Sequence, residues 1–203
     1  TWQLGYFHEC MSGFEHQVAA HMMAEGMTNE ALVLTRMIHD RYHAAKRNPF
    51  NEIECSDHYA RAMASYGTFI SACGFDYDGP NGFISFAPKM NPDKCKVPFT
   101  SASGWGSYEQ LKNEHNFTAK LHVAYGSLRL NKISLAPTIH ITKAKVNLGG
   151  KIMNGTLIKQ NQGYQFEFEN TIELKKGQIL QVNLSYYAST KKYSGGDTLY
   201  DLY

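Results

Sequence analysis

The chain has 203 residues, 43% of them hydrophobic and 13% aromatic, and its 20 Lys and Arg against 18 Asp and Glu leave a net charge of +2. That composition suits one globular domain or two small ones. With no block of like charge, it speaks against nucleic acid or an anionic membrane surface as the main partner. No apolar run approaches the length of a membrane-spanning helix, and Thr1-Trp-Gln-Leu-Gly-Tyr6 has neither the basic region nor the apolar core of a signal peptide.

The first half reads as helical. Phe14, Val18, Ala19, Met22, Met23 and Met27 recur at helical spacing and predict one apolar stripe, with Gly26 near its end. Asn29 is placed to cap a second helix whose inward face is Leu32, Val33, Met37, Ile38 and Tyr42. Pro49 stops it. His39 and His43 stand four apart on that helix, but with no third ligand and no His-Glu-x-x-His they read as surface residues. The set Met22, Met23, Met27 and Met63 reads as core filling.

Between the second and third helices lies Asn48-Pro-Phe-Asn-Glu-Ile-Glu-Cys-Ser-Asp-His-Tyr-Ala-Arg-Ala-Met-Ala-Ser-Tyr66. Glu52, Glu54, Asp57, His58 and Arg61 crowd this loop-to-helix junction. Carboxylates supply acceptors and the guanidinium a fixed fork of donors, the inventory that a polyhydroxy ligand needs. The same residues also suit a solvated first turn whose acids complement the helix dipole. Ser56 is placed to cap the third helix, which turns Tyr59, Met63, Tyr66, Phe69, Ile70 and Cys73 inward and ends at Gly74.

Beyond Gly74 the pattern changes. Phe75-Asp-Tyr-Asp-Gly-Pro-Asn-Gly-Phe-Ile-Ser-Phe86 predicts a hairpin. Pro88, Pro92 and Pro98 punctuate an irregular connection to Trp105, which reads as a core anchor or as a stacking platform for a sugar. From Phe117 alternation of period two predicts strands at 119–125, 128–135, 145–148, 164–168, 171–174 and 179–186. Helices followed by strands imply an α+β chain or two adjoining units.

Cys10, Cys55, Cys73 and Cys95 are too widely spaced for a zinc ribbon or a redox pair, and both two disulfides and four thiols remain open. Sequons at Asn116, Asn154 and Asn183 point outward for a chain secreted by a eukaryote. The opening on Thr1 instead of Met fits a mature or trimmed chain, and the compartment is left open. Nucleophilic Ser or Cys motifs and Gly-rich phosphate loops are absent from the sequence.

The stretches Glu9-Cys-Met-Ser-Gly-Phe-Glu-His-Gln-Val-Ala-Ala-His-Met-Met-Ala-Glu-Gly-Met27, Ile38-His-Asp-Arg-Tyr42 and Asn48 to Tyr66 together resemble the C-terminal part of the catalytic domain of glycoside hydrolase family 116, the non-lysosomal glucosylceramidases and β-glucosidases. Motif-level similarity covers roughly residues 5–110. The resemblance implies the last helices of an (α/α)6 barrel over 1–111 and an antiparallel, β-sandwich-like unit over 112–203. It implies retaining hydrolysis of β-glucosides or glucosylceramide-like substrates, without a cofactor.

Within it, Glu9 matches the Glu of an E-x-x-x-G turn that contacts sugar hydroxyls, although Met11 replaces the usual aromatic. Glu52 and Arg61, nine apart, match the pair that binds the outer hydroxyls of glucose; Glu54 is the rival carboxylate, and His58 is either a hydroxyl partner or a helix-end histidine. Retention needs a nucleophile and an acid/base about 5 Å apart. Both family motifs lie upstream of the part matched, so no catalytic carboxylate is assigned here, and an N-terminal companion chain or region is expected to supply them. The alternative reading is a non-catalytic carbohydrate-binding or structural protein.

Overall fold

The computed structural model describes residues 11–42, 45, 61–137 and 139–186. Three helices come first: α1 (Ser12–Ala24), α2 (Thr28–His39) and α3 (Ala62–Cys73). α1 packs against both others. Their buried positions are mostly small: Ser12, Ala19 and Met23 on α1, Ala31 and Ile38 on α2, Thr68 and Cys73 on α3. Small side chains let helix axes approach closely. One polar tie adds to this, as the Thr68 hydroxyl donates to the His16 carbonyl at 3.2 Å.

Of the inward faces expected from periodicity, Ala19, Met23, Ile38 and Cys73 are buried, and others are corrected. Phe14, Val18, Met27, Leu32, Val33, Met37, Tyr66 and Phe69 are exposed, and Met63 is 89% exposed. Of the four methionines read as core, only Met23 is buried. α2 starts two residues early, capped at Met27 instead of Asn29, and no side-chain cap hydrogen bond is made. α1 does stop where its glycine predicts: Gly26 has φ 86°, and the Met27 N–H reaches back to the Met22 carbonyl at 2.9 Å.

Ten strands follow: β1 (Phe75–Asp78), β2 (Phe83–Phe86), β3 (Lys94–Thr100), β4 (Gly104–Lys112), β5 (Asn116–Leu135), β6 (Lys143–Leu148), β7 (Lys151–Met153), β8 (Gly155–Lys159), β9 (Tyr164–Lys175) and β10 (Ile179–Ser185). They form two ladders that share β5. Its first part lies in the order β3-β4-β5-β10-β6-β7, and its second, from Ser127, in the order β1-β2-β5-β9-β8. The two ladders close on one core: the Phe86 ring of β2 stacks on Tyr108 of β4 at 3.9 Å and meets Phe99 of β3 edge-on at 6.4 Å.

The chain is thus α+β and rich in strand, with helices first. The sheet is mixed where an antiparallel one was expected, because β2 runs parallel to β5. The expected division at 111/112 falls at the end of β4, which is hydrogen-bonded to β5 in one ladder. The three described helices are too few to close an (α/α)6 barrel on their own.

Candidate functional site

Arg61 occupies the cap position of α3, with φ −77° and ψ 47°, and Ala62 is the first helical residue. The cap residue makes no side-chain cap hydrogen bond. Ser56, the expected cap, lies outside the described residues, as do Glu9, Glu52, Glu54, Asp57 and His58. Arg61 is therefore the one sequence-predicted site residue whose surroundings are described.

Its half-buried side chain runs over the first turn of α1. A methyl group built on Gly13 would stand 3.1 Å from Arg61 Cδ and 3.2 Å from its Nε. Gly13 is the glycine of the E-x-x-x-G turn that begins at Glu9. Two segments separated by nearly fifty residues thus meet at one helix-start junction, where a methyl on Gly13 would press on the arginine stem.

A second basic group lies on the same helical array. Arg41, just after α2, forms a two-pronged ion pair with Glu15 of α1: Nη1 donates to Oε1 at 3.2 Å, and Nη2 meets Oε2. Both side chains are about one-third exposed. Sequence reading missed this pair, since 26 positions separate its members. His39 is exposed, as a surface histidine would be. Among the described residues no group of three His, Cys, Asp or Glu is arranged to hold a metal ion.

Cys73 and Cys95 are free thiols, and Cys10 and Cys55 lie outside the described residues. Burial, with Cys95 adding to it, pushes the Cys73 thiol from 9.0 up to about 11, and burial raises Cys95 as well. Neither is a ready thiolate nucleophile.

Trp105 is not the core anchor it was expected to be. It is 53% exposed and stacks on its register partner Tyr125, itself 60% exposed, with ring centroids 6.0 Å apart.

No family model matches the chain, and no curated protein does. Solved structures do. A GH127 β-L-arabinofuranosidase from Geobacillus stearothermophilus T6 is 12% identical with a TM-score of 0.37, over 61% of this chain and 18% of the other. An α-L-rhamnosidase from Dictyoglumus thermophilum is 13% identical with a TM-score of 0.36, over 64% and 14%. A third glycoside hydrolase is 14% identical with a TM-score of 0.34, over 61% and 19%. The chain spans less than one-fifth of the length of each of these glycoside hydrolases.

Proposed function

We propose that the chain is the C-terminal, substrate-binding part of a retaining glycoside hydrolase of the β-glucosidase or glucosylceramidase type, contributing the last helices of an (α/α)6 barrel. The observation that carries this reading is the seating of the Arg61 stem on Gly13. The resemblance assigns sugar contacts to the Glu9 turn and to Arg61, and a common binding site requires those two segments to be neighbours.

In this reading Arg61 and Glu52, with Glu54 as the rival, hold adjacent hydroxyls of a glucose ring. The guanidinium donates and the carboxylate accepts, and bonds with one charged partner are roughly twice as strong as neutral ones. Such contacts do no bond-breaking. They fix the sugar relative to the reacting carboxylates, so that binding energy is realised in the transition state. Those carboxylates, nucleophile and acid/base, belong to an N-terminal companion chain or region. The exposed Phe14, Val18, Val33, Met37 and Met63 give such a companion apolar helix faces to cover.

The test is functional complementation. The chain alone is expected to leave an aryl β-glucoside intact, and activity is expected once the N-terminal companion is supplied. Calorimetric titration of the assembled protein with a glucose-type ligand should show a loss of about 1–3 kcal/mol on Arg61→Ala and on Glu52→Gln. Turnover by the chain alone, or unchanged affinity in both variants, would refute the reading.

A further inference from the structure

The outward face of the first ladder carries an unusual mixture of side chains. Core residues fix the facing: Tyr108, Leu121, Val123, Val146, Leu180, Val182 and Leu184 are buried, so the alternate positions on β3, β4, β5, β10 and β6 point away from the core. Those positions hold Lys94, Lys96, Lys120, Lys143 and Lys145 against a single acid, Glu109, a formal +4 on one face of a chain whose total is +2. Glu109 is tied to Lys96 at 2.5 Å, and that contact holds its carboxyl below the ordinary range. At one end of the face stand the exposed rings of Trp105 and Tyr125, within 19° of parallel.

Among the lysines lie hydroxyl and amide groups. Thr118 Oγ1 and Gln181 Nε2 both donate to Asn183 Oδ1, at 3.2 and 3.0 Å, and Ser185 donates to Asn116 at 3.1 Å. Hydrogen bonds between register partners hold this row in place. A shallow cavity of about 520 Å³ opens over Lys96, Glu109, Leu111, Thr118 and Lys120.

We infer that this face binds an acidic polysaccharide, a chain of pyranose rings bearing carboxylates. Each ligand group has its complement. The apolar face of a sugar ring stacks on Trp105 and Tyr125, the hydroxyls meet the Thr, Asn and Gln row, and the carboxylates meet the unpaired excess of lysine. Five strands at about 4.8 Å spacing make the face about 19 Å across, long enough for several rings. A protein partner fits poorly, because a stable interface needs a well-packed apolar centre over roughly 800 Å² per side, and beyond the two rings the exposed apolar residues Leu111 and Ile179 are kept apart by the polar Glu109–Lys120–Gln181 row. Single-stranded nucleic acid fits less well too. Single-strand binding sets aromatic platforms along a basic groove, whereas here both rings stand at one end and Glu109 interrupts the lysines. The site is separate from the Arg61 junction and stands or falls without it.

Trp105 is one of only two tryptophans, so its fluorescence reports the site once Trp2 is replaced by Phe. Titration of that protein with hexagalacturonate should give a saturable change that weakens with added salt. Trp105→Ala, read by calorimetry, should lower affinity at least tenfold, and Trp105→Phe should retain most of it. Lys94→Gln with Lys120→Gln should flatten the salt dependence, and Arg61→Ala should change nothing here. The inference is overturned by any of three results: no saturable change with hexagalacturonate, equal binding by a folded Trp105→Ala variant, or tighter binding of an oligothymidylate through the same lysines. Concentration-dependent dimerisation lost in Trp105→Ala, without glycan binding, would assign the face to a second copy and overturn it equally.

Discussion

Gly13→Ala separates two things that usually move together, stability and binding. Gly13 is the second residue of α1, and it is not among the residues of positive φ, so alanine meets no backbone strain there. In a helix, alanine is favoured over glycine by about 0.5–1 kcal/mol. The added methyl, however, would lie 3.1 Å from Arg61 Cδ and 3.2 Å from Nε, a few tenths of an ångström inside ordinary carbon contact at about 3.5–4.0 Å. A flexible stem yields easily, so folding loses little. Nε is part of the guanidinium, so the charged group moves with the stem. A full charge-assisted bond to a sugar hydroxyl contributes about 1.5–3 kcal/mol, and misplacing it should forfeit part of that, about 0.5–1.5 kcal/mol, or roughly twofold to tenfold in Kd. Urea denaturation should therefore show Gly13→Ala at least as stable as the parent, while calorimetry shows weaker binding of a glucose-type ligand. If Arg61→Ala weakens binding and Gly13→Ala does not, the contact with Gly13 does not position the guanidinium. If neither variant weakens it, Arg61 is not a sugar ligand.

Two further predictions concern the core. Buried Gln110 accepts from the Tyr108 hydroxyl at 2.6 Å through its side-chain oxygen and donates to the Pro92 carbonyl through its nitrogen. Gln110→Leu strands both partners and should cost about 1–3 kcal/mol, and adding Tyr108→Phe should recover part of that in a double-mutant cycle; equal stability of Gln110→Leu and parent would deny the network any role. The Cys73 thiol is neutral when protonated, and its value is raised in the folded state from 9.0 to about 11. The unfolded chain therefore loses this proton first. The contribution is complete below pH 9 and fades as pH rises from 9 to 11. Cys95 and Tyr108, both raised by burial, act in the same direction. Urea midpoints should fall across that window, less steeply in Cys73→Ala, and an identical slope in the variant would refute the assignment.

What sequence could reveal follows from what is local. The β1–β2 hairpin over 75–86 and the stop at Gly74 are written in adjacent residues, and both appear where expected. β3 and β4 were hidden by proline punctuation. Yet Pro98 sits on β3, which among the described residues pairs only with β4, and an edge strand tolerates the missing N–H. β5 was read as two strands, 119–125 and 128–135, yet it runs on through two changes of inward parity: Phe117, Ala119, Leu121 and Val123, then Leu128 and Leu130, then Ile133 and Leu135. Gly126, at φ 71°, makes the first switch, and the irregularity between Leu130 and Lys132 makes the second. That one strand continues through both switches is set by its partner strands and cannot be read from sequence. The helix faces misled for the converse reason. Periodicity marks which residues are apolar, and of those it turned inward Ala19, Met23, Ile38 and Cys73 are buried, joined by Ala31 and Thr68, while most of the larger ones stand exposed. At the candidate site, residue types and spacing suggested Arg61, but its approach to Gly13 is a tertiary fact.

The strand unit also has a bearing on the helical site. α3 carries Arg61 at its first end, and its other end is locked to the sheet. Gly74, left-handed at φ 56°, accepts from the Ala87 N–H at 2.9 Å, and Ala72 accepts from Lys89 at 2.9 Å. A Cβ on Gly74 would lie 2.1 Å from the Ala87 carbonyl oxygen, so this seam admits only glycine. Twelve helical residues at 1.5 Å each put the arginine about 18 Å from that anchor. Through a rigid rod of that length, a tilt of a few degrees at the seam moves the far end by about 1 Å, the scale of misplacement that disrupts positioned chemistry. The β unit need not touch the sugar held at Arg61 to matter for it: by fixing the direction of α3, it sets where the guanidinium can be.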